Sequence, residues 1–344
     1  MIKVGDKIIG ENHPTFIIAE AGVNHGGDMA VAKKLIDCAA DAGVDAVKFQ
    51  AFRAEDLILN NVEKAPYQQK TTDAKESQFD MLKKLEVSRE QNFELKKYCI
   101  EKDIIFLTTP FDEYSLEAID ELDLPAYKIA STDTTNLPFL KKVAQKYKPI
   151  FLSTGMSYLS EVQMALETIF EFHKEVVVLQ CTANYPIKDS EANLAVINTF
   201  KNHFDIMVGY SDHTVGIGAA AFAIPMGAKV VEKHFTLDKS LEGPDHTTSL
   251  SPEELVDFVK LVRKVDAFMG TSIKKPNLSE TKTRASLQKC LVANGNIKKG
   301  DCFTEDNIIA KRTGGIGISP IYYKDLLGIK ASKNYKNNEI ISNE

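Results

Sequence analysis

Long apolar runs are missing from this chain of 344 residues, and no stretch approaches the ~20 consecutive residues that a membrane-spanning helix needs. The opening MIKVGDKIIGENHP also lacks the apolar segment of a secretory signal. Cysteine is scarce: Cys38, Cys99, Cys181, Cys290 and Cys302 are odd in number, scattered, and never in a CxxC pair. A disulfide scaffold is thereby excluded, and reduced thiols in the cytoplasm are expected. A basic excess is absent as well. Lys and Arg number 42 against 48 Asp and Glu, a net charge of −6, so neither nucleic acid nor a membrane is the expected partner. With 44% apolar and 26% charged residues, bulk disorder and collagen-like repeats are untenable. What remains is a globular protein of about two domains, at ~150 residues per domain.

The charge is unevenly spread. Residues 1–270 hold 29 Lys+Arg and 41 Asp+Glu, net −12, whereas residues 271–344 hold 13 and 7, net +6. A positive tail and a negative body suit two domains that dock or meet at a subunit interface, although a solvated bias gives the same numbers. Periodicity draws the same boundary. Short β-branched runs at 16–20, 46–52, 104–109, 126–131, 149–153, 176–181, 206–211 and 229–235 alternate with amphipathic segments such as MAVAKKLIDCAADAG and LSEVQMALETIFEFHK. PEELVDFVKLVRKVDAFMG follows Ser251 as N-cap, with Pro252 at N1 and Glu254 at N3, a capping box. Eight strand–helix units within 270 residues predict an α/β fold, a closed (β/α)8 TIM barrel. A doubly wound open sheet is the alternative, but no GxGxxG follows the first strand. Residues 271–286 are polar and read as a linker. Residues 287–344, with six of the 19 glycines, read as a small β-rich domain.

Catalytic groups of such barrels gather at the carboxyl ends of the strands, and polar residues stand at every one of those ends here. Glu20 is followed by Asn24 and His25; Lys48 and Gln50 share a face; Thr109 closes strand three. Lys128, Ser131 and Asp133 follow strand four, Ser153 ends strand five, and Asn184 and Tyr185 follow strand six. Ser211, Asp212 and His213 end strand seven, and Glu232 and His234 share a face of strand eight. Any one of these has a bland reading as a snorkelling lysine or a hydrogen-bonded histidine. Two lysines within apolar strands are costly to bury unpaired, and with no carboxylate evident at matching depth on every neighbouring strand, an anionic ligand is expected. His213 and His234, ending adjacent strands, could share one divalent cation, for which manganese, magnesium, iron and zinc are all open. Asp212 is expected to orient a histidine from the opposite face. Asp245, behind the Gly-Pro turn of SLEGPDHTTSL, suits either polyhydroxyl recognition or a plain turn.

The segments IIAEAGVNHGGD, DAVKFQ, TTPFD, YKIAS, LSTGM, CTANYP, GYSDHT, VEKHFTLDKS and GPDH occur in this order. With them the chain resembles the nonulosonate (sialic acid) synthases, which make N-acetylneuraminate, legionaminate and pseudaminate, over essentially its whole length. Residues 287–344, with NIKKGDCFTEDNI and AKRTGGIGIS, look like the antifreeze-protein-like (SAF) domain of those enzymes. The resemblance implies that phosphoenolpyruvate condenses with the open-chain form of an N-acetylated mannose-type sugar. The product is a nine-carbon 2-keto acid, and phosphate leaves by C–O cleavage. It further implies that Lys48, Lys128, Ser131, Ser153, Thr109 and Ser211 hold phosphoenolpyruvate. His213 and His234 would hold the metal, manganese ahead of magnesium. Glu20 would move a proton or position water, and Gln50, Tyr185 and Asp245 would contact the sugar. Arg312 matches an arginine that reaches a neighbouring subunit's barrel, implying a domain-swapped homodimer.

Two departures bear on the sugar. Ser131-Thr132-Asp133 stands where the family has Ser-Gly-Glu, so Asp133 meets the sugar with a shorter acid; Lys311-Arg312-Thr313-Gly314 replaces Lys-Arg-Pro-Gly. APYQ at 65–68 and GPDHTTSL resemble the neuraminate and legionaminate branches, and the shortened acid favours N,N'-diacetyllegionaminate as product. A Schiff-base pyruvate lyase using Lys48 or Lys128 is the competing enzyme class, and a non-catalytic sugar-binding protein the remaining one.

Overall fold

A computed structural model describes residues 1–73 and 75–342, in two compact units, Met1–Gly270 and Thr271–Glu344. In the first unit a hairpin, β1 (Ile2–Val4) and β2 (Lys7–Ile9), precedes eight parallel strands. These are β3 (Phe16–Gly22), β4 (Ala46–Ala51), β5 (Ile105–Pro110), β6 (Tyr127–Ile129), β7 (Ile150–Ser153), β8 (Val176–Cys181), β9 (Met207–Asp212) and β10 (Val230–His234). They form one sheet in the order β5-β4-β3-β10-β9-β8-β7-β6, and the end strands β5 and β6 lie against each other, giving a nearly closed α/β barrel. The open-sheet alternative is thereby overturned: β10 pairs with β3 through Val230↔Phe16 to His234↔Glu20.

The two-residue period of the strands makes the barrel work. Inward positions run from apolar to polar along each strand: Phe16-Ile18-Glu20, Ala46-Lys48-Gln50, Ile105-Leu107-Thr109, Val177-Leu179-Cys181 and Val230-Glu232-His234. The apolar layers, with Ile2, Val4 and Ile9 of the hairpin packed into them, form one buried cluster. The opposite face of each strand meets the helices in a larger one. Polar groups are confined to the layer at the carboxyl ends. The helix Pro252–Met269 closes the ring, since Asp266 accepts from both N and Oγ1 of Thr15 and Arg263 pairs with Asp45 at 2.7 Å. Its Ser251/Glu254 capping box is formed.

The second unit has its own core, in which Leu291, Phe303, Ile308 and Tyr335 are buried. Its strands β11 (Lys289–Ala293) and β12 (Ile308–Arg312) pair antiparallel, and isolated bridges supply the remaining pairing. The expected linker is not extended throughout. A 3-10 turn at Leu278–Glu280 and a helix at Thr281–Leu287 fall in it, started by Asn277, whose N–H donates to Glu280 Oε2 at 2.7 Å. Of the small domain expected at 287–344, residues 343 and 344 lie outside the described residues. All five cysteines are free thiols, and no helix among the described residues is long and apolar enough to cross a membrane.

Candidate active site

The polar layer opens into a cavity of about 420 Å3. Glu20, Lys48, Gln50, Thr109, Lys128, Ser131, Ser153, Tyr185, Ser211, His213, His234 and Asp245 all line it. They are scattered along 226 residues and meet at the carboxyl end of the barrel: Glu20, Lys48, Gln50, Thr109, Lys128, Ser153, Ser211 and His234 stand on the strands, and Ser131, Tyr185, His213 and Asp245 on the segments that follow them. A bulge helps at the first strand. The register between β3 and β4 shifts between Glu20 and Gly22, where the φ of Gly22 is +54°, so the chain turns away directly after Glu20.

The lysines are paired, contrary to the expectation drawn from the strands alone. Lys48 Nζ lies 2.5 Å from Glu20 Oε2, 3.8 Å from Glu232 Oε2 and 3.1 Å from Thr109 Oγ1. Lys128 Nζ lies 3.5 Å from Glu232 Oε1, which also accepts from Ser211 Oγ at 3.0 Å. Two ammonium and two carboxylate groups, all buried, therefore form one alternating quartet. Glu232 was visible on the face of His234, but its reach to both lysines depends on cross-barrel geometry that no single strand encodes.

Burial pushes the Glu20 carboxyl up to about 7, with Lys48 opposing and Glu232 reinforcing. Burial acts on Glu232 in the same sense, but Lys128 and Lys48 outweigh it and hold that group below the usual carboxylate range. Lys48 stays above its ordinary value despite burial, because Glu20 and Glu232 face it. Lys128 is drawn down by burial, against the pull of Glu232. One carboxyl of the quartet is thus poised to carry a proton near neutrality while the other stays ionised. Gln50 Nε2 donates to Glu20 Oε1 at 3.3 Å, and Ser153 Oγ is buried in the cavity wall without a partner.

The histidine pair fits a divalent cation. His213 Nδ1 donates to the Thr182 carbonyl at 2.8 Å, which fixes the ring and leaves Nε2 as the nitrogen for a ligand. Burial is outweighed by Cys181, which holds the imidazole above its ordinary value, so a cation there must displace the Nε2 proton. Burial drives His234 well below its ordinary value, so it is neutral, and its Nδ1 is a buried atom without a hydrogen-bond partner. The ring centroids are 5.5 Å apart, and Tyr185 packs on both at 4.1 and 5.5 Å. Among the described residues no group of three His, Cys, Asp or Glu side chains converges for a metal ion. The chain thus offers two imidazoles, leaving other positions to water or substrate. Asp245 Oδ2 stands 3.9 Å from His234 Nδ1, and burial raises its carboxyl to about 6.

Other expected residues fall elsewhere. Asp212 orients no histidine: it pairs with Lys233 at 3.1 Å and accepts from Thr214, on the helix side of β9. Asp133 is turned away from the cavity. It accepts from Asn136 Nδ2 at 3.0 Å and Thr132 Oγ1 at 3.2 Å, its short side chain serving the 3-10 turn Ser131–Asp133. Asn24 Nδ2 donates to the Phe235 carbonyl and Ser249 Oγ, tying the first strand end to the segment after β10, and His25 Nδ1 accepts locally from Gly27 N. Arg312 ends β12 in the second unit and is exposed. Tyr67, within the APYQ stretch but assigned no role from the sequence, enters the cavity from the loop after β4 and packs on Tyr185 at 5.0 Å.

The NeuB family pattern matches residues 35–274. The chain belongs to the NeuB family. It is 47% identical over 330 residues to the N,N'-diacetyllegionaminic acid synthase of Campylobacter jejuni, covering 95% of this chain and 98% of that one. It is 35% identical to human N-acetylneuraminate-9-phosphate synthase, over 98% and 94% of the two chains. Among solved structures, the N-acetylneuraminic acid synthetase of Leptospira borgpetersenii in complex with citrate matches with a TM-score of 0.74 and 35% identity, covering 83% of this chain and 96% of that one. The nine segments around the cavity are therefore this chain's version of a NeuB-family barrel.

Proposed function

We propose that this NeuB-family chain condenses phosphoenolpyruvate with the open-chain form of an acetamido sugar, releasing phosphate and a nine-carbon 2-keto acid. One observation carries the reading: a buried Lys–Glu quartet ringed by hydroxyls shares a cavity with two imidazoles, of which His234 has a buried nitrogen without a partner. With Glu20 protonated, the quartet has a net charge of +1 and suits an anion. Lys48, Lys128, Ser131, Ser153, Thr109 and Ser211 hold phosphoenolpyruvate there. Its C3 forms a bond to the aldehyde carbon of the sugar, water adds to C2, and the C2–O bond to phosphate then breaks, leaving the ketone. Glu20, with both protonation states accessible near neutrality, relays the water's proton. Gln50, Tyr185 and Asp245 orient the sugar. His213 and His234 would hold a manganese or magnesium ion, which supplies Lewis-acid polarisation of the aldehyde when bound.

The name of the C. jejuni relative supports a diacetamido sugar as the substrate, with N-acetylmannosamine as the comparison. We further propose that residues 287–342 form an SAF-type domain whose Arg312 serves a neighbouring subunit's barrel in a domain-swapped homodimer, and that the enzyme works in the cytoplasm. The test is phosphate release from phosphoenolpyruvate with 2,4-diacetamido-2,4,6-trideoxymannose or N-acetylmannosamine, with EDTA and with added Mn2+. Metal-dependent release is expected. Turnover of free pyruvate despite EDTA would instead place the chain with the Schiff-base lyases.

A further inference from the structure

The cavity is not polar all round. Strands all round the barrel supply its charged and hydroxyl-bearing floor, whereas Phe52, Leu57, Ile58, Met81, Leu82 and Phe111 line it from the loops after β4 and β5. These apolar side chains centre on a buried cluster separate from the two barrel clusters. Phe52 and Phe111 meet edge to face at 6.2 Å, which stiffens the wall. The loop that carries most of it is pinned from within. Lys64 is buried and donates to Thr72 Oγ1 at 2.9 Å, the Asp73 carbonyl at 2.8 Å and Glu76 Oε2 at 3.2 Å. Two amides, Gln68 and Gln78, also line the cavity, with Gln78 Nε2 donating to Gln68 Oε1 at 3.0 Å.

Phosphoenolpyruvate, anionic at both ends, gains nothing from such a wall. A hydroxylated sugar end placed against it would leave its hydroxyls unpaired. We propose that this wall is a specificity subsite for the end of the sugar remote from the aldehyde, and that it selects a sugar deoxygenated at C6 and N-acylated at C4. The C6 methyl and the acetamido methyl enter the apolar lobe, while the acetamido N–H and carbonyl meet the Gln68 and Gln78 amides. The inference rests on the condensation proposed above and assigns the residues that choose its sugar. A single methyl group in an apolar pocket discriminates by about 10- to 200-fold, so two such contacts decide the substrate.

Leu57→Asn and Leu82→Asn test it, because both leucines are only half-buried and a cooperative melt is expected to show each variant folded. In the unmodified enzyme, kcat/KM for 2,4-diacetamido-2,4,6-trideoxymannose should exceed that for N-acetylmannosamine by at least about tenfold. Either asparagine variant should cut that ratio about tenfold, and Leu82→Met should restore it. A ratio unmoved by the asparagines, or no preference at the outset, overturns the subsite. Saturation-transfer NMR with the trideoxy sugar alone reads the same contact without turnover. Transfer to its C6 methyl, weakened in Leu82→Asn, is expected; equal transfer in both proteins overturns the subsite. Absence of phosphate release with either sugar would refute the condensation, and the NMR result would still decide what the wall contacts.

Discussion

Glu20 faces opposing influences, because the ammonium that pairs with it and the burial that isolates it act in opposite directions on its proton. Burial prevails, and the carboxyl moves from 4.5 to about 7. A raised carboxyl contributes stability that is complete below the unfolded value and is lost as pH rises through the folded one. The loss here falls between about pH 4.5 and 7 and amounts to something on the order of 3 kcal/mol. Glu20→Gln mimics the protonated form, so in substrate-free protein its thermal melt should match the unmodified enzyme near pH 4.5 and lie several degrees above it at pH 8. The opposite order at pH 8 would show that the pair with Lys48 outweighs burial. Removing the carboxyl should also cost phosphate release by ~100-fold or more, the usual share of a proton-transferring group. The histidines make a sharper case. His213→Ala or His234→Ala should lose Mn2+ binding by calorimetry and nearly all turnover while the barrel melts cooperatively; full activity after chelation and metal exchange would remove the pair from the mechanism.

Element by element, much of this site is legible in the sequence. The eight strands announce themselves because each keeps apolar residues on both parities and then ends in a polar group, and their ends agree with the structure to within one or two residues. The Ser251 capping box was readable for a similar reason: its bonds are local. What was not legible depends on distance along the chain. The three-residue strands of the N-terminal hairpin carry too little pattern to register. The pairing of Lys128 with Glu232 spans the barrel, and the apolar wall assembles only once the loop after β4 folds back on Phe111. Asp133 misled because a carboxylate near a strand end need not turn inward. Close packing within the sheet is equally invisible in sequence, and Gly209 on β9 illustrates it. A Cβ there would sit 2.5 Å from Leu179 Cδ2 and 2.6 Å from the Val230 carbonyl oxygen. Gly209→Ala must therefore displace backbone beside Ser211, and should destabilise the barrel by about 3 kcal/mol or more in a denaturant titration. A variant as stable as the parent would mean that β9 and β10 part easily.

At the level of the whole molecule the proposal to test is that Arg312 serves a neighbouring subunit's barrel. Each unit buries its own core, so a chain ending at Gly270 should remain folded by circular dichroism. Charge gives the second unit a reason to seek acidic partners, since residues 271–344 are net +6 and residues 1–270 net −12. If Arg312 acts across a dimer, Arg312→Ala should raise the KM for the sugar at least ~tenfold, as loss of a charge-assisted contact does, and leave the KM for phosphoenolpyruvate alone. That result by itself does not say which subunit supplies the arginine. Mixing does. A chain with Arg312→Ala has an intact barrel but no arginine to lend, and a chain with His213→Ala has the arginine but a dead barrel. Reassembled together, each mixed dimer has one barrel with both parts, so low-KM turnover should reappear although neither parent shows it. If the arginine works on its own chain, the mixture keeps the high KM of the Arg312→Ala parent at every ratio, and the swapped dimer is refuted.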